Sequence, residues 1–309
     1  MTPAEGPILV TGAHRSGTTW VGRVLAASTS PRLGYLWEPF NPRHRPGTFA
    51  VRFPRYFEYL CAENGAPYVG PLTAALAFAY RPGAELRSLH SPRDAARMAR
   101  DWARFARDRR RCAAALVKDP IALFSSEWLA ATFGMRVVVM IRHPAAFAVS
   151  IRRRNWRHRF GDFLDQPLLM RDLLAPHEPE LRAAAERRPD ILDEAILLWN
   201  VLYSVVATFQ ERHPDWIFVR HEDVAAHAVD RFRELYGNLG LEWTPPVERL
   251  VRETSSASNP GDARRADAIR RASASQVRAW TSQLSPEEAE RVRRGTDPLW
   301  RRYYDDGDW

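Results

Sequence analysis

The sequence predicts an α/β fold in which a parallel β-sheet is flanked by helices, and three observations support this class. Short apolar runs rich in β-branched residues alternate along the chain with longer stretches of helical composition. Neither an internal repeat nor a low-complexity linker divides the 309 residues. A chain of this length can bury one large core, so we expect a single domain, 1–309, that carries helical and loop insertions.

Four short segments have the apolar, β-branched composition of buried strands. They are 7–13, 114–119, 135–142 and 216–220. Each precedes a stretch of helical composition, and these stretches are 18–28, 125–133, the residues after Pro144, and 224–239. Strands that alternate with helices indicate a parallel sheet covered on both faces.

Three segments interrupt this alternation. Residues 39–93 are rich in Pro, Gly and aromatic side chains, and we expect them to form loops and a lid. Residues 157–189 have the composition of a helical excursion. The polar stretch 255–275 is expected to be a mobile surface loop.

The charge of the chain is positive, with 45 basic and 37 acidic side chains and a formal net charge of +8. Such a surplus favours anionic partners such as nucleotides, nucleic acids or sulfated glycans, without choosing among them. Lys118 is the only lysine, so all other basic residues are arginines. A lone lysine in an Arg-rich chain indicates a site that prefers a compact ammonium to a planar guanidinium.

The sequence gives two indications of compartment. Cys61 and Cys112 do not make a disulfide framework, which favours a reducing environment. The first residues lack the basic region and apolar stretch of a secretory signal, and the apolar run 195–209 is too short to span a bilayer. We therefore expect a soluble cytoplasmic protein with no integral membrane segment.

The first predicted strand runs into the segment GAHRSGTTW, Gly12 to Trp20. Two glycines five residues apart permit a tight loop whose N–H groups, with the N-terminus of the next helix, bind an anion. In this G-x-x-x-x-G frame, Thr18 stands where the ATP-binding version has lysine, and the cation comes earlier, as Arg15. The sequence therefore predicts a P-loop-type fold whose anion site departs from the ATPase pattern.

The third predicted strand ends in Arg142 after a run of apolar residues. Pro144 suits the first position of the following helix, and Ser150 and Arg154 fall on one stripe of that helix. Because a buried strand-end arginine needs an anionic or hydrogen-bonding partner, these side chains suit a second phosphate. The alternative is that the basic run 152–159 is a solvated face or a nucleic-acid patch. The phosphate loop earlier in the chain favours the phosphate site.

Together the two motifs resemble the donor-binding elements of sulfotransferases that use 3′-phosphoadenosine-5′-phosphosulfate (PAPS), most closely those of the carbohydrate and protein-tyrosine branches. The resemblance implies transfer of a sulfonate group from PAPS to a hydroxyl of a glycan, lipid, phenol or natural product, which leaves 3′-phosphoadenosine-5′-phosphate (PAP). The implied donor contacts are Arg15, Ser16, Gly17, Thr18 and Thr19 at the 5′-phosphosulfate, Trp20 at the adenine, Arg142, Ser150 and Arg154 at the 3′-phosphate, and, more loosely, Arg270 and Arg271.

The resemblance also implies three catalytic residues. Glu38 occupies the place of the general base that takes the proton of the acceptor hydroxyl. Lys118, followed by Asp and Pro, would lie near the sulfonate, and Arg15 would contact the bridging oxygen that becomes charged as the sulfonate leaves. Histidine is the base in the small-molecule branch of the family, so His14 and His90 are the runners-up.

The strand-end arginine also bears on metal binding. An ATPase or kinase would use an Asp at such a position to hold Mg²⁺, whereas this strand ends in Arg142. A sulfonate in transfer carries less charge than a phosphoryl group, so a fixed cation can take the place of the metal. We therefore expect no metal.

Two function classes compete with an enzyme. A nucleotide-binding regulatory protein would need the phosphate loop but neither Glu38 nor Lys118. A nucleic-acid-binding module would need a basic stripe with interleaved aromatic residues and no phosphate loop. We therefore expect a small-molecule, glycan or lipid acceptor and no nucleic-acid partner, with 39–93 and 157–189 shaping the acceptor site.

Overall fold

The structure is a computed structural model that describes residues 6–256, 259 and 277–309. The chain divides into two compact units. The first comprises Met1–Thr11, Val21–Val137 and Tyr236–Val247, and the second comprises Gly12–Trp20, Val138–Leu235 and Glu248–Trp309. The single-domain organisation with insertions remains a prediction. Most of the predicted mobile loop 255–275 lies outside the described residues.

The strands form one parallel sheet in the order β2-β3-β1-β4-β5. Their bounds are β1 Ile8–Gly12, β2 Leu33–Trp37, β3 Ala114–Lys118, β4 Arg136–Ile141 and β5 Ile217–Arg220. The predicted α/β class with a parallel sheet flanked by helices is confirmed, and each of the four predicted strands is present. The strand that the sequence did not predict is β2.

The helices of the described residues follow the strands in the expected alternation. Their bounds are α1 Thr18–Leu25, α2 Ala66–Leu76, α3 Pro82–Leu86, α4 Pro92–Arg111, α5 Ser126–Phe133, α6 Pro144–Arg154, α7 Gly161–Leu164, α8 Pro167–Leu169, α9 Glu178–Arg187, α10 Ile191–Arg212, α11 His221–Ala226, α12 Ala228–Asn238, α13 Pro245–Ser255 and α14 Pro286–Gly295. Short 3₁₀ turns cover Pro120–Ser125, Ala279–Ser282 and Leu299–Arg302.

In the first unit, β3 pairs with both β1 and β2. Ala115, Leu116 and Val117 are apolar and buried, and Lys118, which follows them, is 1% exposed. The register sets Trp37, the last residue of β2, beside Lys118, the last residue of β3. The pairing of β2 with β3 therefore brings the residues that follow both strands together.

The segment 39–93 contains the expected loops, mainly in 39–65, and it also contains α2 and α3, which the sequence did not predict. Each of these helices has a proline in one of its first two positions, Pro67 in α2 and Pro82 in α3. Proline has no N–H to lose there, and its fixed φ suits the start of a helix. Pro67 and Pro82 therefore mark helix starts rather than loops.

In the second unit, β4 and β5 pair in parallel, and the helical excursion predicted for 157–189 is present as α7, α8 and α9. The helix predicted over 224–239 is divided between α11 and α12 at His227. The apolar run 195–209 lies inside the longer α10, which Asp190 caps by accepting from the amides of Leu192 and Asp193. By length and composition this one helix of the described chain could cross a membrane, and 61% of its most apolar window is buried inside the protein.

Candidate active site

The loop after β1 has the backbone of an anion cradle. Gly12 and Gly17 both have positive φ, +127° and +93°. A Cβ at Gly12 would overlap the carbonyl oxygen of Met140, and one at Gly17 would overlap the ring of His221. Arg15 is also left-handed, with a φ of 70°, a conformation that persists in a non-glycine residue only when its surroundings impose it.

Ser16 supplies the strongest sign that this loop takes a ligand. Its side chain is fully buried, and its hydroxyl has no hydrogen-bond partner in the part of the chain that the structure describes. Its backbone N–H donates within the loop to the carbonyl of Ala13 at 3.1 Å. A buried unpaired hydroxyl is costly, and the first amides of α1 next to it lack partners within the helix. An anion with several oxygens would satisfy both.

The loop and the helix after β4 meet in one cleft of the second unit. The Nε–H of Arg15 donates to the hydroxyl of Ser150 on α6 at 2.9 Å. The side chains that line the cleft include Arg15, Arg142, Ser150, Arg153, Arg154 and Trp280. Several guanidinium groups around one opening make it strongly attractive to a multivalent anion.

Helix α6 positions two of these groups. His143 is its N-cap and Pro144 takes the first helical position, as predicted. Ser150 and Arg154 are one turn apart and both face the cleft. The helix ends at Asn155, which is left-handed with a φ of 47°. Trp156 follows, 42% exposed, with its ring centroid 5.6 Å from the guanidinium of Arg15.

Arg142 is held from three sides. Its Nε lies 3.4 Å from a carboxylate oxygen of Glu222. Its backbone N–H donates to the hydroxyl of Tyr203 at 2.7 Å, and its carbonyl accepts from the indole of Trp199 at 3.0 Å. Tyr304 donates to the other oxygen of Glu222 at 2.9 Å. The guanidinium of the strand-end arginine therefore has a carboxylate beside it, and the arginine backbone is hydrogen-bonded through both its N–H and its carbonyl.

His143 stands behind the cleft in an aromatic cluster. Its ring stacks on Trp280 with centroids 5.3 Å apart and planes at 10°, and it meets Tyr304 and Trp309 edge-on. Neither ring nitrogen has a hydrogen-bond partner among the described residues. Burial, and then the charge of Arg142, lowers the pKa of His143 to about 3. This imidazole is therefore neutral at neutral pH and serves as a packing surface for Trp280.

We expect His143 to contribute to acid sensitivity. The pKa of His143 in the unfolded chain is about 6.5 and in the folded chain about 3, so the unfolded state binds more protons between these values. The free energy of unfolding should fall by roughly 1.4 kcal/mol per pH unit from this residue below pH 6.5. His143→Phe, which keeps a ring against Trp280, should unfold with a shallower dependence on pH between 6.5 and 4.5. Equal slopes in urea titrations of both proteins would contradict this.

A second group of predicted residues meets in the first unit. Glu38 forms an ion pair through Oε1 with the ammonium of Lys118, and its Oε2 accepts from the side-chain amide of Asn41 at 2.7 Å. The ammonium also lies 5.5 Å from the ring centroid of Trp37, which is 50% exposed. Glu38 is left-handed, with a φ of 43°. Burial, and then the charge of Glu38, raises the pKa of the adjacent Asp119 to about 7.

The other predicted residues have different surroundings. Trp20 is buried, donates to the hydroxyl of Thr254 at 3.0 Å and meets Phe232 edge-on at 5.2 Å. These contacts are those of a packing residue, and its stacking on adenine remains a prediction. Thr18 is buried and Thr19 half-buried at the start of α1. Arg270 and Arg271 lie outside the described residues.

The two alternative bases differ in exposure. Burial, and then the charge of Arg15, lowers the pKa of His14 to about 4, so its ring is neutral at neutral pH. His90 is exposed, just before α4. In the residues that the structure describes, no group of three or more His, Cys, Asp or Glu side chains could hold a metal ion.

Sequence reasoning missed three residues that shape these groups. Glu222, which pairs with Arg142, follows the end of β5 in the sequence HED, where a carboxylate after a strand is a usable signal. Asn41 lies three residues after Glu38 in the turn that follows β2, and its side-chain amide donates to the carboxylate of Glu38. Arg153 is one of a run of arginines, and no sequence signal separates it from its neighbours.

Comparisons with known proteins give the family. A model described as "Sulfotransferase family" matches residues 7–245. No curated protein sequence matches the chain. Similar solved structures include the sulfotransferase domain of the Synechococcus PCC 7002 olefin synthase, with 13% identity over 97% of this chain and 95% of that chain and a TM-score of 0.45.

Two further solved structures are similar at the same level. Mouse sulfotransferase SULT7A1 complexed with PAP has 12% identity over 97% of this chain and 85% of that chain, with a TM-score of 0.44. Sulfotransferase STF1 from Mycobacterium tuberculosis H37Rv has 18% identity over 95% of this chain and 76% of that chain, with a TM-score of 0.40. Because these TM-scores are below 0.5, the assignment depends on the family model, which spans well over half of the sequence. The chain belongs to the sulfotransferase family.

Proposed function

We propose that the chain transfers a sulfonate group from PAPS to a hydroxyl of an acceptor. The observation that carries the proposal is the cleft in which the loop after β1 and the helix after β4 meet through Arg15 and Ser150. PAPS differs from ADP and ATP in its 3′-phosphate and therefore needs two separate anion sites. We propose that the loop with Arg15 and the side chains of Arg142, Ser150 and Arg154, which line this cleft, provide these two sites.

The residues present fit this donor. The buried hydroxyl of Ser16 and the first amides of α1 would hold the 5′-phosphate, with Thr18 and Thr19 at the helix start. Arg142, Ser150 and Arg154 would hold the 3′-phosphate, since charge-assisted contacts from arginine suit phosphate oxygens. The donor supplies the sulfonate group. Arg270 and Arg271 remain proposed contacts to the donor nucleotide.

The contact between Arg15 and Ser150 suggests how donor binding prepares the cation. The Nε–H of Arg15 donates to the hydroxyl of Ser150. A phosphate that takes over Ser150 releases that N–H, so that Arg15 can neutralise the charge that develops on the leaving oxygen. Charge stabilised only as a bond breaks lowers the barrier more than it strengthens binding.

Glu38 is the proposed general base. The acceptor oxygen attacks sulfur, the bond from sulfur to the phosphate oxygen breaks, and the hydroxyl proton goes to the carboxylate of Glu38. The ion pair holds this carboxylate in place on Lys118, whose ammonium is buried. We propose that Lys118 both orients Glu38 and stabilises the sulfonate in transfer.

We also propose that the reaction is metal-independent and takes place in the cytoplasm. The guanidinium groups of the cleft provide fixed positive charge of the kind that Mg²⁺ provides in phosphoryl transfer. The acceptor would be a small molecule, a glycan or a lipid. Segments 39–93 and 157–189 are the proposed acceptor-site segments.

A ligand-selectivity experiment tests the donor assignment. Without added Mg²⁺, PAP should raise the melting temperature far more than ADP or ATP, because only PAP uses both anion sites. Ligand at a hundred times its Kd adds about 2.7 kcal/mol to the free energy of unfolding. Arg142→Ala should abolish most of this preference, whereas Arg159→Ala, which removes an 88% exposed arginine, should not. Equal stabilisation by ADP and PAP would refute the second anion site.

A further inference from the structure

Asp119 has no role in the function described so far, although it follows the only lysine of the chain. Its carboxyl is fully buried. Oδ1 accepts from the amide of Ile121 at 3.0 Å and so caps the 3₁₀ turn Pro120–Ser125. Oδ2 accepts from the amide of Phe40 at 2.7 Å, across 79 positions of sequence. A helix cap uses only one of these oxygens, so the second contact needs its own explanation.

Phe40 belongs to the turn that carries Glu38. The amide of Glu38 donates to the carbonyl of Lys118 at 2.9 Å, and the amide of Asn41 donates to the carbonyl of Glu38 at 3.0 Å. Glu38 itself has a φ of 43°, a left-handed backbone that a glutamate keeps only when its surroundings impose it. Two hydrogen bonds impose that backbone. One joins the amide of Glu38 to the carbonyl of Lys118, and the other joins the amide of Phe40 to the carboxylate of Asp119.

Lys118 and Asp119, at the end of β3, therefore bind the Glu38 turn at different points. Lys118 binds the amide and the carboxylate of Glu38, and Asp119 binds the amide two residues further on. The ammonium of Lys118 is directed to Glu38, and Asp119 forms no ion pair with a described cation. Its second oxygen thus serves the Glu38 turn.

We propose that Asp119 is a positioning residue that fastens the Glu38 turn to the end of β3 and so keeps the Glu38 carboxylate on the ammonium of Lys118. The proposal rests on the proposed function in so far as it calls Glu38 the base. The geometry that it describes, a carboxylate held on one ammonium, is measurable without a donor or an acceptor.

The charge state of Asp119 gives the turn a dependence on pH. Burial and the charge of Glu38 raise the pKa of Asp119 to about 7, and the other ionisable groups that face it are Lys118 and Tyr35. Because the folded turn raises this pKa above that of a free carboxyl, opening of the turn releases the proton. The turn should therefore loosen as the pH rises through about 7.

The lone lysine makes a direct test possible. In the full chain labelled with ¹⁵N-lysine, the side-chain spectrum contains one ammonium signal, that of Lys118. Glu38→Gln gives the reference position of this signal without the carboxylate partner. Asp119→Asn keeps the shape of the side chain but leaves one amide without an acceptor. Asp119→Ser keeps a hydroxyl that can cap Ile121 but is too short to reach Phe40.

We expect both Asp119 variants to move the Lys118 signal toward the Glu38→Gln position and to speed the exchange of its ammonium protons. Asp108→Asn, which alters another buried aspartate of the same unit, should leave the signal in place. A variant that fails to fold is replaced by the other. In sulfonate transfer to a panel of phenol and sugar acceptors, kcat should fall by about 10²-fold, the cost of a misplacement near 1 Å, with unchanged PAP affinity.

An unmoved Lys118 signal in the folded Asp119 variants would overturn the proposal and leave Asp119 as a structural cap. A moved signal in a protein whose wild type transfers no sulfonate would support the positioning geometry and refute the proposed function. The two failures are therefore distinguishable.

Discussion

Replacing Glu38 with glutamine is expected to lower kcat by about 10²–10⁴-fold, the usual cost of losing a general base. Glutamine keeps the size of the side chain and can still accept from Asn41, but it cannot take a proton. Glu38 is not among the residues that line the arginine-rich cleft, so PAP affinity should stay nearly unchanged. Steady-state kinetics and calorimetric titration with PAP measure the two quantities separately.

The matched control is Glu63→Gln, which neutralises an exposed glutamate of the same unit and should leave kcat as it is. Turnover retained in Glu38→Gln would move the base elsewhere. His14 is then the next candidate, because its lowered pKa leaves the ring neutral and able to accept a proton, and His90 follows.

Replacing Arg15 with alanine should cost about 10²–10³-fold in kcat, by comparison with the loss of one oxyanion donor. The leaving oxygen gains charge only as the sulfur–oxygen bond breaks, so a cation directed there acts on the transition state more than on the bound donor. Arg15→Lys should recover much of the loss, because a point charge suffices at a single oxygen. Single-turnover rates and PAP titrations of the three proteins check this.

Arg153→Ala is the matched control for Arg15, since it removes another guanidinium from the same cleft. It should weaken donor binding more than it lowers kcat. If Arg15→Ala instead raised the donor Kd and left kcat intact, Arg15 would be a ground-state phosphate clamp. Stabilisation of the leaving group would then pass to Lys118.

The parts of the fold that could be predicted are those with local signals. β1, β3, β4 and β5 follow apolar or β-branched runs, and α6 begins at the proline that marks its first position. β2 was missed because LGYLW is short, contains a glycine and ends in an exposed tryptophan. Its strand character comes from pairing with β3, a contact between segments some 80 residues apart that no local pattern reports.

The same distinction applies to the site. The order of motifs predicted that Arg142, Ser150 and Arg154 would converge, and the structure brings them to one cleft. The order of motifs did not predict that Lys118 would pair with Glu38, because that ion pair depends on the register of β2 against β3. Nor did it predict Glu222 beside Arg142, since a partner supplied by a different strand leaves no trace in the spacing of the motif.

Sulfonate transfer itself is the central claim, and mass spectrometry tests it most directly. The full chain is incubated with PAPS and a cell extract, with and without Mg²⁺, beside the Glu38→Gln variant. We expect products that gain one SO₃ group, with PAP formed in equal amount, in the wild-type sample and independently of Mg²⁺. A protein that binds PAP but yields no more sulfonated product than the same mixture without the protein would contradict sulfonate transfer and identify a nucleotide-binding protein without transferase activity.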